Sequence, residues 1–175
     1  MTDRYPRALR LLHWLMAALI LVTLLLGVAM SRVPPGSLMN QLFDLHRSFG
    51  LLALGLIILR LWLRFRGPLP PPAPGMTPLQ HRVVHAVHLG FYATLVALPV
   101  LGWVGSSAYG APVIFFGLTT LPSLAAENKP LAEGIFSVHV FLGFTLIGLI
   151  GAHVAGVIYH QVFLKDGLMR RMWPL

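Results

Sequence analysis

Apolar residues in this chain are gathered into four long runs, with polar or proline-rich breaks between them. The runs are about Ala8 to Met30, Asp44 to Leu63, Leu79 to Ser107 and Gly134 to Phe163. A helix needs about 20 residues to cross the hydrocarbon core of a bilayer, and each run reaches that length. The first closes at Arg32 and the Pro34-Pro35-Gly36 turn, the second at Arg64, Arg66 and the proline-rich stretch from Gly67 to Pro78. The third contains Pro99, where a kink is expected because proline removes one backbone donor. Between the third and fourth runs, residues 108–133 are rich in Gly, Pro and aromatics, including Phe115 and Phe116, and are expected to form a loop capping one end. The pattern predicts an all-α fold, an integral membrane four-helix bundle, with residues 1–175 forming one domain.

Composition supports a membrane protein. Hydrophobic residues make up 57% of the chain and charged residues only 10%, outside the balance of a soluble domain. The first run is longer than a signal-peptide core and lacks a convincing small-residue cleavage site, so it is expected to stay as a span. The net charge of +8 does not indicate nucleic acid, because the cations flank the apolar runs instead of forming one basic stripe. One side carries Arg4, Arg7, Arg10, Arg60, Arg64, Arg66, Arg82, Lys165, Arg170 and Arg171, the other Arg32, Arg47 and Lys129. Ten against three predicts that both termini are cytoplasmic and that 108–133 is periplasmic. Trp103 and Tyr109 on one side, and Trp14, Trp62 and Trp173 on the other, stand where interfacial anchors are expected.

The absence of cysteine excludes disulfides, thiolate metal sites, iron–sulfur ligation and covalent haem attachment. Histidine, present eight times, is the remaining abundant metal-binding side chain. In the last run His139 and His153 are fourteen residues apart. At 100° per residue that separation is only about 40° short of four turns, so both rings leave one face of a helix, roughly 21 Å apart along its axis. Two rings so spaced cannot share one ion, but each can hold one of two haems stacked across the membrane. Depth supplies the opposing ligands: His46 lies level with His139, and His13 with His153. Two bis-histidine haems b are therefore predicted, with His13, His46, His139 and His153 as iron ligands.

Neighbouring residues fit that arrangement. Gly50 follows His46 by four positions and Gly143 follows His139 by four, leaving a bare surface for a flat macrocycle. Gly27 stands fourteen residues after His13 at the depth of the outer haem, and Arg60 fourteen after His46 at the depth of the inner one, where it can meet a propionate. A polar side chain inside a membrane span is costly and suggests function, but rivals remain. His160, seven residues past His153, is the alternative to it as a ligand and is otherwise read as a quinone-site or surface residue. His85 and His88, one turn apart on the third helix, can hold a quinone carbonyl, carry protons or simply snorkel. His81 is expected in an exposed loop. A haem-free transporter using these histidines for zinc or protons belongs to a different class, and a visible spectrum separates it from a cytochrome.

The stretches Arg10-Leu-Leu-His13-Trp14, Leu45-His46-Arg47-Ser-Phe-Gly50, Val84-His85-Ala-Val-His88-Leu-Gly-Phe-Tyr92, Ala97-Leu-Pro99-Val-Leu-Gly102, Phe116-Gly-Leu-Thr119 and Lys165-Asp166, with His139 and His153, resemble the bacterial cytochrome b561 family over nearly the whole chain. The resemblance implies a four-helix di-haem cytochrome of the bacterial inner membrane, with the same four histidines as axial ligands. It is strongest to the superoxide oxidase branch, which implies that electrons pass from periplasmic superoxide to ubiquinone. On the predicted outer side Arg32, Arg47 and Lys129 are balanced by Asp44, Glu127 and Glu133, so steering of superoxide rests on a local patch near Arg47. Arg82 is a candidate for orienting the quinone head group, and His85, His88 and His160 for delivering protons. The alternative is a quinone-linked carrier serving another redox protein, in which superoxide has no part.

Overall fold

The computed structural model of the chain describes residues 4–71 and 75–174; Pro72, Ala73 and Pro74 of the expected proline-rich linker lie outside the described residues. Four long helices dominate, α1 (Arg7–Met30), α2 (Ser37–Arg66), α3 (Pro78–Tyr109) and α4 (Lys129–Tyr159). All four are long and apolar enough to span a membrane. A two-stranded antiparallel hairpin, β1 (Ile114–Phe115) and β2 (Thr119–Thr120), lies between α3 and α4. After α4 the chain makes a π-helical turn over His160–Leu164 and a 3-10 turn over Leu168–Arg171.

The helices run past the apolar stretches that announce them. α2 begins at Ser37, seven residues before the predicted start, because Leu38-Met-Asn-Gln-Leu42 continues the helix beyond the part suited to lipid. α4 begins at Lys129 instead of Gly134: the Asn128 side chain accepts the Leu131 N–H, and Pro130 occupies the first turn, where its missing donor costs nothing. α3 starts with a reciprocal cap, in which Thr77 Oγ1 accepts from the Gln80 N–H while the Gln80 side chain accepts from the Thr77 N–H. That cap places His81 in the helix and not in a loop. α3 continues through Pro99 to end at Gly110, whose φ of 82° is the left-handed conformation that stops a helix.

α1 packs along α2, α3 along α4, and α2 joins the two pairs by meeting α3. Among the described residues, no comparable approach of backbones brings α4 against α1 or α2. The buried core takes a side chain from every helix: Met16, Ile57, Leu95, Leu98 and Leu146. Leu146 stands seven residues from both His139 and His153, so the apolar core lies between the two histidine levels, about 10 Å from each.

Each end of the bundle is closed differently. At the end bearing both termini, the Trp14 indole donates to the Met172 carbonyl at 2.8 Å, the Arg10 guanidinium to that of Trp173 at 2.9 Å, and the Arg171 guanidinium to that of Pro71 at 2.7 Å. At the other end the hairpin folds onto α2. Arg47 donates to the Pro112 carbonyl at 2.7 Å, and Ser48 Oγ donates to the Ile114 carbonyl at 3.2 Å while accepting the Phe116 N–H at 2.9 Å.

Candidate functional site

Each of the four candidate ligand histidines faces one of the others across the wide side of the bundle. The rings of His46 and His139 stand 6.0 Å apart, centroid to centroid, with planes inclined at 71°. Those of His13 and His153 stand 6.1 Å apart at 70°. The two pairs are almost congruent although they come from different helices, α2 and α4 in one case, α1 and α4 in the other.

That separation has a chemical meaning. A metal–imidazole bond of about 2.0 Å, plus roughly 1.1 Å from nitrogen to ring centre, would set two imidazoles on opposite sides of one ion about 6.2 Å apart. Each pair is thus spaced so that its two rings could hold one metal ion between them. Among the described residues no group of three or more His, Asp or Glu side chains could hold a metal, so each pair would supply two ligands only, as a planar tetradentate ring requires of the protein. The residues fit haem b.

The loop-end pair is held from behind. His46 Nδ1–H donates to the Thr23 carbonyl of α1 at 2.9 Å, and His139 Nδ1–H to the Leu98 carbonyl of α3 at 3.0 Å. In both rings this leaves Nε2 as the nitrogen free to ligate. Four residues beyond each accepting carbonyl is a glycine. A Cβ on Gly27 would lie 3.1 Å from His46 Cε1, and one on Gly102 would lie 3.4 Å from His139 Cε1. Gly27, read from the sequence as a position at the depth of the outer haem, clears space for an imidazole. Gly102 escapes the sequence reading because nothing periodic along α3 records which residue of α4 will dock there. A Cβ on Gly50 would just reach Pro99, at 4.0 Å, and one on Gly143 would meet nothing within 4 Å.

The terminal-end pair has different surroundings. Among the described residues neither His13 nor His153 makes a ring hydrogen bond; His153 is boxed instead by the edge of Phe91 at 5.6 Å and by His88 at 5.8 Å. His88 donates from Nδ1 to the Val84 carbonyl of its own helix at 2.7 Å. Arg60 donates to the Leu9 carbonyl at 2.7 Å and lies within electrostatic reach of His13. His81 and His85 stack with ring centres 6.4 Å apart, and Arg82 beside them is exposed.

Two candidates sit otherwise than the sequence suggests. His160, at the start of the π turn, is only 6% exposed, and its Nδ1–H donates to Asp166. Partial burial pushes the Asp166 carboxyl up, but the His160 hydrogen bond, the Leu168 N–H and the Arg171 charge outweigh it and hold the group below its ordinary value. Arg47, expected to offer a cationic patch, lies 3.5 Å from Asp44, stacks on Phe43 and is tied to Pro112. Its charge is largely spent locally.

A family model described as prokaryotic cytochrome b561 matches residues 4–175. Cytochrome b561 homolog 2 of Escherichia coli K12 is 30% identical over 172 residues, covering 97% of this chain and 91% of that protein. The probable superoxide oxidase CybB of Yersinia pestis is 28% identical over 163 residues, 93% of this chain and 92% of its own length. Cytochrome b561 homolog 1 of E. coli K12 is 26% identical over 175 residues, 98% of both chains.

Proposed function

Because the chain belongs to the prokaryotic cytochrome b561 family, and so is a multi-pass electron-transfer protein of the bacterial inner membrane that carries haem b, we propose that it binds two haems and passes electrons from superoxide to ubiquinone. The haems supply the one-electron chemistry. Two superoxide anions give up one electron each and leave as dioxygen; one ubiquinone takes both electrons and two protons and leaves as quinol. The two congruent imidazole pairs, 6.0 and 6.1 Å across, carry this proposal, and the similarity to a probable superoxide oxidase supports the choice of donor.

The protein's part is placement. His46 and His139 hold the loop-end group, which the excess of cations at the other end puts on the periplasmic side. His13 and His153 hold the group nearer the cytoplasm, and Arg60 offers a cation to a propionate there. With two imidazoles as its protein ligands, each haem would have no position open to oxygen and would exchange electrons at its edge. His88 stands against His153, with His85 one turn before it on α3, and the two would pass protons to a quinone whose head group Arg82 orients. His160 is the further candidate for that site, its ring fixed by Asp166.

The local pairing of Arg47 with Asp44 favours a second reading, a quinone-linked carrier whose donor is another redox protein. One experiment separates the two. Purified protein is mixed anaerobically with quinol and, separately, with a superoxide source, while the haem bands are followed. Fast reduction by superoxide is the expected result; reduction by quinol alone leaves the carrier standing.

A further inference from the structure

The loop-end histidines are docked on neighbouring helices by a repeated device, and the terminal-end histidines are not. On α1 the Thr23 carbonyl accepts from His46 Nδ1–H and Gly27 gives room to its Cε1; on α3 the Leu98 carbonyl accepts from His139 Nδ1–H and Gly102 gives room to its Cε1. In both cases the carbonyl and the glycine are one helical turn apart, so each helix presents a socket that takes one edge of an imidazole.

A carbonyl that draws on Nδ1–H returns electron density to Nε2, making it the stronger donor to iron and favouring the oxidised metal. Both ligands of the loop-end site receive this push. Among the described residues, neither ligand of the terminal-end site does. The charges act in the same direction. At the loop end the Arg47 cation is offset by Asp44 at 3.5 Å, whereas Arg60 beside His13 pairs with no carboxylate among the described residues. An uncompensated cation favours the reduced, less positive state of its neighbour.

Resting on the two-haem reading above, we propose that Gly27 and Gly102 are positioning residues that set the loop-end site to the lower potential, with Arg60 holding the terminal-end site at the higher one. An electron arriving at the loop end then moves downhill toward the end that carries the termini. The sockets fix direction through the tautomer and basicity of two rings, without touching donor or acceptor.

The test is a potentiometric titration of the intact haem-loaded protein, with haem counted in the same sample. Two one-electron steps are expected, separated by at least tenfold in equilibrium constant, or about 59 mV. Gly27→Ala pushes a methyl to 3.1 Å from His46 Cε1 and should move the lower step upward, leaving the upper one in place. Gly102→Ala, at 3.4 Å, should do the same by less. Arg60→Gln should move only the upper step, downward. The ferric low-spin resonance of the lower-potential species should shift in both glycine variants and stay put in Arg60→Gln. If Gly27→Ala loads a single haem, that haem must titrate at the upper step; retention of the lower step overturns the proposal. Coincident steps in the wild type, or glycine variants that move the upper step, also overturn it. Fewer than two haems in the wild type defeats the two-haem reading itself, a result distinct from two haems of equal potential.

Discussion

The Ser48 hydroxyl joins α2 to the hairpin through two hydrogen bonds, one accepted from the Phe116 N–H at 2.9 Å and one donated to the Ile114 carbonyl at 3.2 Å. Only two positions before it on the same helix is His46. Three consecutive residues therefore divide the work: His46 faces the loop-end pair, Arg47 holds Pro112 and Ser48 holds the hairpin. At the hairpin tip Phe116 adopts a φ of 49° and packs its ring on Phe49 at 5.3 Å. A non-glycine residue is strained there, and the Ser48 bond helps to hold it.

Ser48→Ala should remove both hydrogen bonds to the hairpin, at a cost of about 0.5–1.5 kcal/mol each. The loss should be local. Amides of residues 114–120 should exchange faster in the variant by hydrogen-exchange mass spectrometry, while those in the middle of α4 keep their protection.

The Asp166 carboxyl is held below its ordinary value, so the folded C-terminal turn favours the carboxylate. Its contribution to stability is complete above the ordinary carboxylate pKa and is lost as pH falls through the lowered one. Asp166→Asn should mimic that loss at neutral pH. Exchange over residues 160–171 should be faster in the variant than in the wild type at pH 7, and the difference should vanish at a pH low enough to protonate Asp166.

The four spans and the two histidine levels were legible in the sequence, because lipid forces long uninterrupted apolar helices and a 3.6-residue period carries depth along with it. The caps were written there as well, in Thr77-Pro-Leu-Gln80 and Asn128-Lys-Pro130, but hydropathy masks them: it marks where lipid ends, not where the helix does. What no single helix records is docking between helices. Gly102 reads as one more small residue in α3, and its role exists only once His139 of α4 is laid against it. His160 reads from the sequence as a quinone-site or surface residue because it lies about 10 Å beyond His153, where a span reaches the interface. Its burial comes with Asp166, on the chain that follows the π turn at His160–Leu164, and no period along α4 records that contact.

Close approach of α3 and α4 depends on Gly105, where an added Cβ would lie 2.9 Å from Phe136 Cε1 and 3.1 Å from Ile135 Cγ2. Gly105→Ala should lower stability by about 1–3 kcal/mol through overpacking. Gly148→Ala is the control, since a Cβ there meets nothing within 4 Å and a mid-helix alanine is favoured over glycine by up to about 1 kcal/mol. Thermal unfolding in detergent should show a lower midpoint for the first variant and an unchanged or higher one for the second.

His153 has two imidazoles within reach, His13 at 6.1 Å and His88 at 5.8 Å, so distance alone does not choose its partner. The angle and the matching pair favour His13, which repeats the loop-end geometry to within 0.1 Å and 1°, whereas His88 stands at 84°. His13→Ala and His153→Ala should each reduce the haem count from two to one per chain, and should spare the same remaining haem. His46→Ala and His139→Ala should spare the other. His88→Ala and His160→Ala should keep both. Counting haem by extraction from each purified variant checks the set, and two haems in His13→Ala with one in His88→Ala would transfer the ligand role to α3.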